Sequence, residues 1–110
     1  MNFRGEIGKA GEDLAYEYLR SKGYEIMWRN FRCKYGEIDI VARLKGVISF
    51  IEVKTRADDC YGYPEESLTK NKKRHIKDTA KYYIMKNNLS EDEFQFDVIT
   101  VELSHIKNCI

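Results

Sequence analysis

Long apolar runs are missing from this sequence. None approaches the ~20 residues that a membrane-spanning helix needs, which excludes a helical membrane protein and predicts no membrane partner. The first residues, MNFRGEIGKAGEDL, are charged throughout and lack the apolar core of a signal peptide. Cysteine is sparse: Cys33, Cys60 and Cys109 are odd in number and show no C-x-x-C spacing. Neither a zinc site nor a disulfide framework is suggested, and the cysteine usage favours a reducing cytoplasm. Proline occurs once, at Pro64. There are no repeats, no low-complexity tracts and no linker. Charge of one sign is not in excess either. The chain has 19 basic and 18 acidic residues, a formal net charge of +1, so its total does not announce a nucleic-acid binder.

What remains is a chain of 110 residues, the size of one domain spanning 1–110. Such a chain buries roughly two thirds of its unfolded surface, enough for a core without staples. Residues 7–22 place Ile7, Ala10, Gly11, Leu14, Ala15 and Tyr18 at helical spacing, with Gly23 as a stop. That stripe centres near Leu14 and Tyr18, with Glu12 at its edge in line with Gly8, Ala15 and Leu19. Residues 24–31 predict a short strand. GEIDIVARLKGVISFIEVKTR, residues 36–56, predicts two strands joined by a turn. Residues 57–66 predict a loop, 68–88 a second helix, and 94–103 a last strand. The order α-β-β-β-α-β gives an α/β fold, a central mixed sheet flanked by helices.

The hairpin carries charge into its own middle. A two-residue turn at Lys45-Gly46 sets Leu44 opposite Val47, Val41 opposite Phe50 and Ile40 opposite Ile51. Continued, this register sets Asp39 opposite Glu52 and Glu37 opposite Lys54, with Asp39, Glu52 and Lys54 on one face. Opposed carboxylates have Cβ atoms about 4.5–5.5 Å apart and destabilise a sheet unless something offsets the repulsion. A shared proton or a divalent cation does so. Lys54, about 7 Å along the strand from Glu52, offsets part of it. Two carboxylates flanking an open position suit Mg²⁺, with Mn²⁺ as a substitute. A neighbouring lysine supplies a positive group for an attacking water or a developing oxyanion. That is the outline of metal-assisted phosphodiester hydrolysis. The same four residues also make an ordinary salt-bridge cluster on a wet sheet face.

GEIDIVAR and FIEVKTR resemble the signature of the YraN family of small bacterial proteins. That family is itself similar to archaeal Holliday-junction resolvases and to the restriction-endonuclease-like superfamily with its PD-(D/E)xK site. The resemblance covers nearly the whole chain, including GKAGEDLAYEYLRSKGYEI, YGYPEESLTKNKKRHIKDTAKYYI and FQFDVITV. It implies a restriction-endonuclease-like fold and a Mg²⁺-dependent nuclease. Asp39 and Glu52 would be metal ligands, with the Val53 carbonyl as a main-chain ligand. Lys54 would be the catalytic lysine, and Glu12 a further acidic residue reaching the site from the first helix. The likeness to junction resolvases implies branched DNA and a homodimer, since symmetric resolution needs two sites. Departures from the pattern are Ile38 before the aspartate, the missing superfamily proline, and Gln95-Phe96-Asp97 where the family shows Arg-Phe-Asp. If that arginine touches phosphate or Asp97, its contact is missing here.

For nucleic acid, Lys70, Lys72, Lys73, Arg74, Lys77, Lys81 and Lys86 crowd the second helix against one acid, Asp78. Lys72, Lys73 and Arg74 are phosphate-contact candidates, as is Arg56 near the end of its strand. Tyr61 and Tyr63 are of a type that stacks on bases, but tyrosines flanking a Gly-Pro loop more often pack. His75 and His105 receive no role. The rival to a nuclease is a catalytically silent nucleic-acid-binding subunit with the same fold.

Overall fold

The computed structural model describes residues 3–57, 69–90 and 92–110. The elements follow the order read from the sequence: α1 (Phe3–Ser21), β1 (Glu25–Cys33), β2 (Gly36–Leu44), β3 (Val47–Ala57), α2 (Lys70–Lys86) and β4 (Glu93–Leu103). The sheet order is β1-β2-β3-β4. The first three strands form an antiparallel meander, and β4 returns parallel to β3. The sheet is therefore mixed, and α2 is carried by the long connection that a parallel pair requires. The loop at 57–66, with Tyr61 and Tyr63, falls outside the described residues except for its first position. Among the described residues no helix is long and apolar enough to cross a membrane.

Local chemistry sets the boundaries. Gly23, at φ 91, ends α1: its N–H donates to the Arg20 carbonyl and that of Tyr24 donates to Leu19. This pair of bonds satisfies carbonyls that the helix end would orphan. Thr69 caps α2, its hydroxyl accepting from the Lys72 N–H at 3.2 Å. Lys45 and Gly46 both take positive φ, 50 and 79, as a two-residue turn of the primed type demands.

The helices cover opposite faces of the sheet. Ala15 and Leu19 of α1 pack on Ile40, Ala42 and Ile51. Ala80 and Tyr83 of α2 pack on Val41, Ile48 and Phe50, joined by Phe31 and Ile38. Strands β2 and β3 are thus buried on both sides, which is why their apolar residues run consecutively instead of alternating.

The buried stripe of α1 differs from the one expected. Leu14 and Tyr18 are 60% and 53% exposed, whereas Gly11, Ala15 and Leu19 face the sheet. Close approach decides this. A Cβ on Gly11 would overlap Thr55 Oγ1 of β3, so the helix seats its small residues and leaves the large ones outside. The rotation brings Glu12, next to Gly11, further in than the apolar stripe alone implies.

Candidate active site

The register matches expectation up to one point. Leu44 pairs with Val47, Val41 with Phe50 and Ile40 with Ile51, and there the β2–β3 ladder stops. The expected pairs Asp39–Glu52 and Glu37–Lys54 are not formed. Instead the Val53 N–H donates to Asp39 Oδ2 at 2.8 Å. The cause is a break in side-chain alternation. Ile38 packs on the α2 side and Ile40 on the α1 side, although residues two apart on a regular strand share a face. β1 is irregular at the same level. It pairs Arg29 with Ile40 and Phe31 with Ile38, and between them lies Asn30 at φ 55. At this break β2 leaves β3, and a side-chain carboxylate takes the place of a backbone carbonyl as acceptor.

Carboxylates collect around the break. Burial pushes the Asp39 carboxyl up to about 6. The Val53 N–H works against that shift, while the charges of Glu12, Glu37 and Glu52 add to it. Glu12 is also raised, first by burial and then by Glu37, with Arg29 and a hydrogen bond from the Asn30 side chain opposing. Arg29 itself is turned to α1, 2.9 Å from Asp13 and 4.7 Å above the Tyr16 ring. Glu52 Oε2 is buried and has no hydrogen-bond partner among the described residues. Such an orphaned carboxylate oxygen is costly unless a proton or a cation meets it.

The site residues expected from sequence therefore divide. Glu12, Asp39 and Glu52 are brought into one electrostatic neighbourhood, with Val53 bound to Asp39 through its N–H. Lys54 is half-buried on β3, paired with Thr100 of β4, and Arg56 lies two residues on, paired with Glu102. Lys73 lines a cleft of about 190 Å³ between α2 and the sheet, together with Ile76, Lys77, Phe50, Glu52 and Phe96. Lys72 is half-buried and Arg74 exposed. Successive helical residues point about 100° apart, so the three expected basic residues do not share a face. Lys73 and Lys77 do. Gln95 donates to both Asp97 oxygens at 3.2–3.3 Å, so a neutral amide contacts Asp97 here.

Sequence reasoning left Glu37 in a salt-bridge cluster with Lys54. In the structure it faces Glu12 and Asp39 and pairs with Arg32 at 3.4 Å. Lys77 was discernible as the i+4 neighbour of Lys73. Phe96 carried no signal beyond an ordinary strand residue. Among the described residues, no group of three or more histidine, cysteine, aspartate or glutamate side chains is close enough to hold a metal ion by itself. Mg²⁺ needs fewer, since one or two carboxylates with water and substrate phosphate suffice.

The model of the family described as "Uncharacterised protein family UPF0102" matches residues 11–101. The chain belongs to this family. It is 45% identical over 108 residues to a UPF0102 protein of Caldicellulosiruptor saccharolyticus, covering 98% of this chain and 90% of that one. It is 50% identical over 100 residues to one from Clostridium acetobutylicum, covering 91% and 82%. A third, from Persephonella marina, is 46% identical over 104 residues, covering 92% and 90%. The resemblance to the YraN family drawn from the motifs is thereby shown, since UPF0102 is that family. The relatives' names state no activity.

Proposed function

We propose that this UPF0102 protein is a nuclease dependent on a divalent cation, Mg²⁺ or Mn²⁺, that hydrolyses phosphodiester bonds in DNA. The observation that carries this reading is the Glu52 oxygen, buried and without a hydrogen-bond partner among the described residues, beside an Asp39 whose carboxyl is pushed up to about 6. Acids shifted as Asp39 is, and Glu12 with it, cluster at functional sites. Asp39 and Glu52 are the two carboxylates that would hold a hard cation, enough when water and substrate phosphate complete its shell; the Val53 carbonyl and Glu12 would add to them, although no three acids among the described residues already converge on one point. When bound, the cation would polarise a water and neutralise charge on the phosphate. Lys54 holds the attacking water or the developing oxyanion. The Val53 N–H fixes one Asp39 oxygen, leaving the other for the cation. Arg56 and Lys73 supply positive charge for the backbone of the substrate.

The finer reading is a branched substrate cut by a homodimer, because two strands of a junction require two sites. The test is a panel of labelled duplex, flap, junction and single-stranded DNA and RNA, incubated with Mg²⁺ and with Mn²⁺, for wild type and Asp39→Ala. Metal-dependent cleavage lost in Asp39→Ala is expected, with junctions cut best. Binding with no cleavage under either metal would replace the nuclease by the silent binding subunit. Sedimentation with a four-way junction tests the dimer.

A further inference from the structure

The cleft beside Glu52 is built from unlike walls. Its α2 side presents Lys73 and Lys77, one turn apart, with Ile76 between them. Its sheet side presents Phe50 and Phe96 together with the acids Glu37, Glu52 and Asp97. Phe96 is 48% exposed, unusual for a phenyl ring that already leans on the core, its centroid 5.6 Å from that of Phe50 at an interplanar angle of 30°. Phe94 stacks on the far end of the same group, 5.9 Å from Phe50 at 29°. The three rings are fixed by one another, and one of them keeps nearly half its surface open. At about 190 Å³ the cleft is of the size that admits one small aromatic ring system; an engineered cavity of about 150 Å³ takes up benzene.

From this we infer that the cleft receives one unpaired nucleobase, stacked on Phe96, next to the phosphate that is cut. The inference rests on the nuclease reading for the phosphate, and extends it to the substrate class: nucleic acid with an unpaired nucleotide at the cleavage point. The charges match such an occupant. A nucleobase is neutral and planar, suited to an apolar floor. Its flanking phosphates are anionic, suited to Lys73 and Lys77. The acidic end of the cleft at Glu52 is where a cation would bridge to phosphate. Intact duplex keeps its bases stacked inside and offers none to Phe96. Sequence tolerance follows, because every base has a stacking face.

The test uses oligonucleotides carrying 2-aminopurine, whose fluorescence falls on stacking. The base is placed in a single strand, in an unpaired position of a duplex, and in a full duplex, with DNA and RNA versions, in chelator and in Ca²⁺. Wild type should quench the unpaired base and leave the paired one bright. Phe96→Ala, and Phe96→Leu, which keeps apolar bulk against Phe50, should lose the quench. They should also bind the unpaired probes between about fivefold and about a hundredfold more weakly, with duplex affinity unchanged. Phe96→Tyr should retain both properties. Quenching that persists in Phe96→Leu, or equal losses for duplex and unpaired probes, would overturn the platform, as would no binding of any probe. The tighter of the DNA and RNA arms identifies the natural strand. Quenching without cleavage leaves the platform and removes the nuclease; cleavage that depends on Asp39 but shows no quench does the reverse.

Discussion

Asp39 performs two tasks that pull in opposite directions. Its oxygen satisfies the Val53 N–H at the end of a ladder, and its charge sits among those of Glu12, Glu37 and Glu52. Asparagine keeps an acceptor and sheds the charge; alanine loses both. In chelator at neutral pH, Asp39→Asn should be as stable as wild type or more so. Asp39→Ala should be less stable by about 1–2 kcal/mol, the cost of a half-buried donor left unpaired. Urea unfolding measures both, and equal losses in the two variants would show that the charge is not what strains the site. Glu52 and Lys54, two residues apart, should separate in a different way. Glu52→Gln and Lys54→Ala should both abolish cleavage, but calorimetry should find metal affinity much reduced only in the first. If Lys54→Ala weakened metal binding as severely, the lysine would belong to the metal site and not to the water.

Among the elements, α1 shows what sequence patterning conveys and where it stops. Its stop at Gly23 and its amphipathic character are legible from spacing, whereas its start at Phe3 lies a turn before the expected Ile7, where the apolar stripe has not yet begun. Its seat is not legible either, because hydrophobicity favours Leu14 and Tyr18 while contact with Thr55 favours the residue without a Cβ. The hairpin is similar. Turn chemistry at Lys45-Gly46 fixes three pairs correctly, and the register then fails at Asp39, because a switch of face has no periodic signature. Of the carboxylates that gather there, type and motif single out Glu12, Asp39 and Glu52, and place Glu37 with Lys54 instead. Gly11→Ala should destabilise the fold by about 1–3 kcal/mol through overpacking, with the slope of the urea transition unchanged. Adding Thr55→Ala removes the overlapping hydroxyl and should recover part of that loss, a non-additive pair. Strict additivity would mean that α1 does not approach β3 at Gly11. On α2, Lys73→Ala with Lys77→Ala should flatten the log–log salt dependence of DNA binding by about two units. Arg74→Ala should change it less, since it does not line the cleft.

For the whole molecule, the site stores unfavourable charge in a fold with two otherwise apolar faces, and pH should reveal it. The Asp39 carboxyl lies at about 6 in the folded state against an ordinary 3.8. The folded protein therefore binds the proton more tightly than the unfolded chain does. This contribution to stability is complete below about pH 4 and is lost as pH rises through about 6. Two units correspond to ~3 kcal/mol, and partial exposure of the group reduces that to about 1–2 kcal/mol. Other acids titrate in the same range, Glu12 among them with its own upward shift, so the informative quantity is the difference between wild type and Asp39→Asn. In chelator that difference should be near zero at about pH 3.5 and should grow in favour of Asp39→Asn towards pH 7.5. A divalent cation should invert the sign. It binds the ionised carboxylate and displaces the proton, so its effect strengthens as pH rises. At ten times its dissociation constant it adds about 1.4 kcal/mol to the folded state. At pH 7.5 with Mg²⁺, wild type should therefore recover the stability it lost, while Asp39→Asn gains much less. Thermal melts of both proteins across pH, with chelator and with Mg²⁺, measure all four limbs. Suppose instead that Asp39→Asn is the less stable protein in chelator at pH 7.5 and that neither protein responds to metal. The charge at the break would then be a structural partner of its neighbours, and neither the cation site nor the nuclease reading built on it would survive.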